Sequence, residues 1–542
     1  VFAAHQAQGK QGMVAAVSPP AVEIGVRVLK DGGTAVDSAV AVAFAMAVTW
    51  PEAGNIGGGG FMMIHPGGGE EPVCIDYRET APAAARPDMF QIGESRFSRK
   101  IVGTPGTVAG LALAHEKYGK LPWKRLVEPA VRLAADGFEV DAATALSLNR
   151  VLEDEASGDF PELIRVFGRT DGRAWKAGDR LVQPDLAGTL QAIAEHGPDG
   201  FYRGEVAQKL VAEMQAGDGL ITAADLQGYR AKVRRPIHGT FHGYDVYGPP
   251  PPSSGGTCLV EMLNILERFD LKSHGRNSPQ AMHLIIEAMR RAYLDRARYL
   301  GDADFVDIPA RLTTKEYAAQ LAATIDPKRA TRSEALAADL QISGEGDSTP
   351  HFSIIGGGGM AVSNTYTLEF SFGSRVVVRG AGFLLNNEMG DFNWKAGYTD
   401  RRGYIGTQAN LIEPGKRMLS SQTPTIIAKG GEVRMVTGSP GGRTIINTVL
   451  CVVLNVLEFE LTLEDAVAAP RLHNQWLPDQ TRFEAADDPQ YRETVETLRA
   501  MGHRIVESPG KQGDAHAIWV DRESGIYYGV ADDRRGGAVQ GF

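Results

Sequence analysis

Cysteine is the scarcest of the informative residues in this chain. Only Cys74, Cys258 and Cys451 occur in 542 residues. They stand in apolar or Gly/Pro-rich surroundings, without CxxC spacing and without clustered histidine. That argues against a disulfide framework or a thiolate zinc site and leaves three buried thiols as the expectation. A long apolar run is also missing. The best candidate, residues 39–50, falls well short of the roughly 20 residues that cross a bilayer and is rich in alanine. It reads as a buried helix, and no membrane span is expected. Positive charge is not in excess: the net charge of −10 and a pI near 5.7 exclude the basic footprint of a nucleic-acid binder. No HExxH or GxSxG motif is present. The run Gly57–Gly60 lacks GxGxxG spacing and is not followed by Lys-Ser/Thr, so it does not point to phosphate binding. No metal or organic cofactor is expected.

Glycine is what the chain has in quantity, with 64 residues, many in short clusters where the backbone turns tightly or comes close to something. Around these clusters two textures alternate. The first part reads as helical: residues 20–30, stopped by Gly32-Gly33, then residues 35–48. Strands are predicted at 61–65 and 73–77. A loop of prolines, serines and glycines (residues 249–256) enters a helix over 257–268. Ser278-Pro279 supplies an N-cap and a first-turn proline for a helix running to about residue 300. Residues 333–348 are small and polar and read as an exposed linker. Beyond them the texture changes to strands: 351–355 and 360–368 as a hairpin around Gly356–Gly359, then 375–378, 424–428, 433–437, and a second hairpin at 516–520 and 526–530. This order fits an α+β, helix-flanked antiparallel sandwich.

At the change of texture stands Asp347-Ser-Thr-Pro-His-Phe-Ser353, by residue type alone a polar loop entering a strand. Other blocks accompany it. They include Gly54–Met62 (GNIGGGGFM), Asp76–Pro82 (DYRETAP), Gly103–Gly106 (GTPG), Pro250–Gly256, Ala361–Leu368 (AVSNTYTL), Leu384–Met389 (LLNNEM), Leu419–Pro424 (LSSQTP), Thr437–Gly442 (TGSPGG) and Gly513–Ala517. In this order, over nearly the whole length, they resemble the gamma-glutamyltransferases of the N-terminal-nucleophile hydrolase superfamily.

The resemblance implies a four-layer αββα sandwich. Residues 1–348 would form a large-subunit segment and residues 349–542 a small-subunit segment, the two composing one domain and remaining together as a heterodimer after self-cleavage before Thr349. Thr349 would then be the nucleophile. Its own α-amine, titrating near 7.7–8.0 in peptides, suits the part of general base. Thr367 matches the threonine that hydrogen-bonds the nucleophile, and Gly441 and Gly442 match the pair whose amides form an oxyanion hole. Arg78, Ser420 and Ser421 match the groups that hold the α-carboxylate of the donor, an arginine being the preferred fork for it. Asp391 and Glu388 match acceptors for its α-amino group. The activity implied is cleavage of gamma-glutamyl amides such as glutathione through a glutamyl ester on Thr349, with transfer to water or to an amino acid or dipeptide. A periplasmic or secreted home follows from family habit.

Three positions depart from the family pattern. Pro350 follows the nucleophile where Thr or Ser is usual and removes a backbone N–H. Glu369 replaces Asn in the substrate-binding set, and Gly390 replaces an acidic residue beside Asp391. These keep two alternatives open: a glutaryl or cephalosporin acylase on the same scaffold, and an unprocessed, non-catalytic binding relative.

Overall fold

The computed structural model describes residues 4–337, 343–344, 350–508 and 510–542. Fourteen strands build two large antiparallel sheets. In chain order they are β1 (Ala4–Gly9), β2 (Met13–Ala16), β3 (Gly59–His65), β4 (Val73–Asp76), β5 (Lys232–Arg234), β6 (Ile237–Phe241) and β7 (Tyr244–Gly248). Then follow β8 (His351–Ile355), β9 (Ala361–Thr367), β10 (Thr425–Lys429), β11 (Glu432–Gly438), β12 (His516–Asp521), β13 (Ile526–Asp532) and β14 (Ala538–Gly541). One sheet runs β14-β2-β8-β9-β3-β4-β5 and the other β1-β13-β12-β11-β10-β7-β6. Both draw on the chain before and after residue 349. The first part is therefore less purely helical than its sequence texture suggests.

Alternation along the strands assigns the layers. Phe352 and Ile354 of β8, Val362 and Tyr366 of β9, and Met62 and Ile64 of β3 face one helical layer. That layer includes α1 (Pro19–Lys30) and α2 (Ala35–Thr49). The opposite faces of the same strands (Phe61, Met63, Ile355, Ala361) meet Ile426, Val436 and Ile518 of the second sheet in a thin core between the sheets. The second sheet turns Ile427, Met435 and Ala517 to the other helical layer, which includes α3 (Gly255–Leu266), α4 (Pro279–Tyr299) and α5 (Thr444–Leu457). The result is the αββα arrangement, with period-2 patterning setting which side chains lie between the sheets.

Local signals explain the helix positions. α2 starts with a reciprocal capping box between Thr34 and Asp37 and is buried along its whole length, as expected of a helix that is apolar nearly all round, with its Ser38 and Thr49 hydroxyls hydrogen-bonded to backbone carbonyls. Ser278 caps α4 by accepting from the Ala281 N–H.

Some expectations need correction. The strand at 375–378 shrinks to a single bridge, Val377 to Leu384. Its β-branched residues favour extension, but Phe372, Gly373 and Arg375 have positive φ, and a tight return closed by the Val378 N–H to Phe383 bond leaves no length for a ladder. The linker at 333–348 does not begin exposed: Ser333–Leu336 is a helical turn, and Ser333 and Ala337 are buried. Cys74 and Cys258 are buried, whereas Cys451 is half-buried; all three are free thiols.

Candidate active site

Thr367 closes β9 on the side that faces the second sheet. Its carbonyl accepts from Asn55 Nδ2 at 3.0 Å, and its Oγ1 accepts from the Glu369 N–H at 2.7 Å. The glycine run beneath it is a matter of close approach. A Cβ on Gly58 would lie 1.9 Å from the Thr367 carbonyl oxygen, and one on Gly57 2.1 Å from that of Leu384. Any side chain there would displace the end of β9 and the segment carrying Glu388 and Asp391. Thr349, the expected nucleophile, and the Ser348–Thr349 bond lie outside the described residues. The described chain resumes at Pro350, one residue before β8.

Arg78 follows β4 and is 1% exposed. Its Nη2 donates to Asp391 at 2.5 Å. Its Nη1 lies 2.6 Å from Glu388 and 3.5 Å from Glu79, and its Nε donates to the Met418 carbonyl. Burial alone would lower the guanidinium pKa, but Glu388, Glu79 and Asp391 together hold it above its ordinary value. The carboxyls respond in the opposite sense. Burial pushes Glu79 up to about 8 against the attraction of Arg78, and it pushes Glu388 well above the usual carboxylate range. Among the described residues, no side-chain oxygen of Glu79 or Glu388 accepts an aligned hydrogen bond. Asp391 is the acid of this group that opens to solvent, with 29% of its side chain exposed against none for Glu79 and Glu388.

Glu369 sits just beyond β9 at a φ of 75°, and burial lifts its carboxyl to about 8 despite the neighbouring guanidinium of Arg96. Arg96 Nη1 donates to it at 2.7 Å, and the same guanidinium lies over the rings of Phe370 and Trp394. Gly390 now has a physical account: a Cβ there would meet Glu369 Oε2 at 2.6 Å and Arg96 Nη1 at 3.1 Å. The smaller residue at 390 makes room for the carboxyl and arginine that approach from elsewhere.

Ser420 and Ser421 are held by the proline-serine loop that leads into α3. The Ser420 N–H donates to the Pro252 carbonyl, and the Ser420 carbonyl accepts from both the Ser254 N–H and its hydroxyl. Ser421 Oγ accepts from Arg296 Nη2 at 2.9 Å. Gly441 and Gly442 precede the first turn of α5, with φ of 127° and 53°, conformations that only glycine adopts freely. Their carbonyls accept from the Thr444 and Ile445 N–H groups. Their own N–H groups have no acceptor among the described residues. Two unengaged amides at the N-terminal end of a 14-residue helix are suited to a developing negative charge.

The segment between Asp391 and Ser420 is folded against this site. Gly403–Tyr404 pairs with Ser343–Gly344. Tyr404 packs with the cluster containing Phe90, Met389 and Trp394, and burial pushes its phenol up to about 12. Arg401 and Arg402 point to solvent.

The structure thus gathers Arg78, Glu369, Glu388 and Asp391 into one charged cluster, and places Ser420-Ser421 on loops whose backbone carbonyls Arg78 also contacts. Arg96, Arg296 and Glu79 were not identified from sequence. Arg96 lies in an unremarkable polar stretch, and Arg296 is one of several arginines on α4, so no local pattern marks either. A cluster with metal-compatible donors, His283, Glu287 and His503, is buried elsewhere. Glu287 is already engaged by Arg290 and Arg291, which disfavours a cation there.

Over residues 21–542 the sequence matches the family described as Gamma-glutamyltranspeptidase. The glutathione hydrolase proenzyme of Escherichia coli (strain K12) is 45% identical over 538 residues, covering 98% of this chain and 91% of that protein. The glutathione hydrolase proenzyme of Pseudomonas aeruginosa is 44% identical over 539 residues, covering 97% and 94%. The fold is similar to that of a cephalosporin acylase from Bacillus halodurans, with a TM-score of 0.87 and 26% identity over 99% of this chain and 97% of the other.

Proposed function

The chain belongs to the gamma-glutamyltranspeptidase family, and from the site geometry we propose that it is a self-processing gamma-glutamyltransferase and glutathione hydrolase with Thr349 as its nucleophile. The reading is carried by two chemistries bordering one small cavity, which Arg443, the residue after Gly442, lines together with Asp391 and Leu419. A buried arginine with carboxyls around it suits the zwitterionic tail of a glutamyl donor, and two glycine amides without an acceptor among the described residues suit the oxyanion of acyl transfer.

In this reading the Thr349 hydroxyl first attacks the carbonyl of Ser348. The resulting ester is hydrolysed, leaving residues 1–348 and a new chain that starts with the Thr349 α-amine. The fragments stay together because each sheet contains strands from both. In turnover the α-amine takes the hydroxyl proton as Thr349 attacks the γ-carbonyl of the donor. The Gly441 and Gly442 N–H groups stabilise the oxyanion, and Thr367 orients the nucleophile. The intermediate collapses, the leaving amine takes the proton, and a glutamyl ester remains on Thr349. Water or the amino group of an amino acid or dipeptide then attacks the ester and regenerates the hydroxyl. Arg78, Ser420 and Ser421 bind the donor α-carboxylate, while Asp391 and Glu388 accept from its α-ammonium. A periplasmic or secreted location belongs to the same proposal.

The test combines mass spectrometry and turnover. Wild-type protein should yield two fragments meeting between Ser348 and Thr349 and should release nitroaniline from L-γ-glutamyl-p-nitroanilide. Thr349→Ala should remain one chain and release none. Turnover by that variant would remove Thr349 from the mechanism.

A second reading has one specific support, the Glu369–Arg96 pair in the donor cluster. It places a carboxyl and a guanidinium where the family pattern has an amide, and the acylase likeness points the same way. A glutaryl anilide cleaved faster than the γ-glutamyl anilide would favour it.

A further inference from the structure

Arg296 lies near the C-terminal end of α4 and is 7% exposed. A buried guanidinium is costly unless an anion or a full set of acceptors compensates it. Among the described residues, Arg296 has no carboxylate partner and makes two hydrogen bonds, both to neutral hydroxyls. Its Nε donates to Ser254 Oγ and its Nη2 to Ser421 Oγ, each at 2.9 Å. The Ser254 hydroxyl in turn donates a hydrogen bond to the Ser420 carbonyl at 2.6 Å. Arg296 thereby fixes the backbone of Ser420 and the side chain of Ser421 together. It also lines a small cavity with Asp391, Asn410, Leu419 and Arg443, in which the Asp391 carboxylate is already engaged by Arg78.

The direction of these hydrogen bonds has a chemical consequence. Arg296 has only N–H donors, so Ser421 Oγ must act as acceptor toward it. The Ser421 proton is then turned away from Arg296, and among the described residues it has no acceptor. A hydroxyl whose oxygen accepts from a cation is also a stronger donor. Among the described residues, the arrangement is a polarised O–H with no partner, backed by a buried positive charge with no counter-ion.

Resting on the gamma-glutamyl reading above, we propose that Arg296 is a positioning residue for the donor α-carboxylate. It acts through Ser421, and the donor supplies the anion that its buried charge lacks. Arg78 alone does not meet that need, because its guanidinium is shared with Glu388 and Asp391. Recognition of the carboxylate is therefore divided between a direct arginine and a relayed one.

The experiment is a double-mutant cycle on the processed enzyme with L-γ-glutamyl-p-nitroanilide, using Arg296→Lys, Ser421→Ala and the pair. A lysine retains the charge but cannot reach two hydroxyls with the geometry of a planar fork. Each single variant should raise the donor KM by about tenfold or more, with kcat within about threefold. The double variant should be no worse than the poorer single. Effects of the two changes that multiply, or an Arg296→Lys enzyme with wild-type KM, would overturn the relay. If Arg296→Lys fails to mature, Ser421→Ala still decides, since an unchanged KM there leaves Arg296 nothing to act through. A wild-type enzyme that does not turn over the γ-glutamyl anilide would instead sink the functional reading.

Discussion

The two ends of the candidate site are built from opposite materials. At the donor-tail end, Arg78, Arg96, Glu79, Glu369, Glu388 and Asp391 crowd together, and burial holds three of the carboxyls above their ordinary pKa. At the end proposed to carry the reaction no charged side chain is required: two glycine amides precede α5 and a threonine closes β9. The difference reflects what each end must do. A zwitterionic tail is already charged in solution, so side chains that exchange partners can recognise it. The oxyanion exists only in transit, so its donors must be fixed in advance, and backbone amides cost no side-chain ordering. The largest expected effect therefore falls where there is no charge. Gly441→Ala places a Cβ at a φ of 127° and 2.5 Å from Thr444 Oγ1, which turns the amide. We expect kcat to fall by roughly 10²–10³ with a donor KM within a few-fold of wild type. A variant with undiminished kcat would show that this end is not the preorganised one.

The charged end should fail differently. If Arg78 is the direct fork for the α-carboxylate, as proposed, Arg78→Ala should raise the donor KM by roughly ten- to a hundredfold, with a smaller change in kcat. Initial rates over a range of donor concentrations separate the two parameters. An unchanged KM would remove Arg78 from donor recognition and blur the contrast between the ends. Because Arg78 is also a structural centre for three acids, thermal unfolding of the variant shows whether a KM change reflects recognition or a disordered pocket.

The same contrast governs how much the sequence revealed. Elements fixed by short-range physics were legible: the hairpin around Gly356–Gly359, the Ser278 cap and the largely apolar α2, and the glycine run read as a place of close approach, though not as one to Thr367. The reacting end is made of such elements, and its motif glycines stand where close approach and positive φ demand them. The charged end was legible only in part. Arg78, Glu388 and Asp391 could be assigned through resemblance, but the Arg96–Glu369 pair joins residues 273 apart in the chain, and no local pattern announces it. Gly390 read as an unexplained loss of an acid until the tertiary structure showed Glu369 and Arg96 filling its space. The failed strand at 375–378 teaches the converse. β-branched composition predicts extension, but only a partner of sufficient length makes a sheet.

The smallest expected effect concerns pH, and it belongs to the charged end alone. Glu369 is held at about 8 in the folded protein, mainly by burial and against the pull of Arg96. An unfolded glutamate titrates near 4.3. The folded state therefore binds this proton more tightly than the unfolded chain. The stability it confers is full below about pH 4 and declines as pH rises from the unfolded value through the folded one. Glu79, also near 8, acts in the same direction, so wild-type Tm should fall between about pH 5 and pH 8. Glu369→Gln is neutral throughout that range and can still accept from Arg96. Its Tm relative to wild type should therefore rise with pH, with the two proteins most alike near pH 5. A difference independent of pH would mean that Glu369 is ionised throughout and paired with Arg96 as a permanent salt bridge.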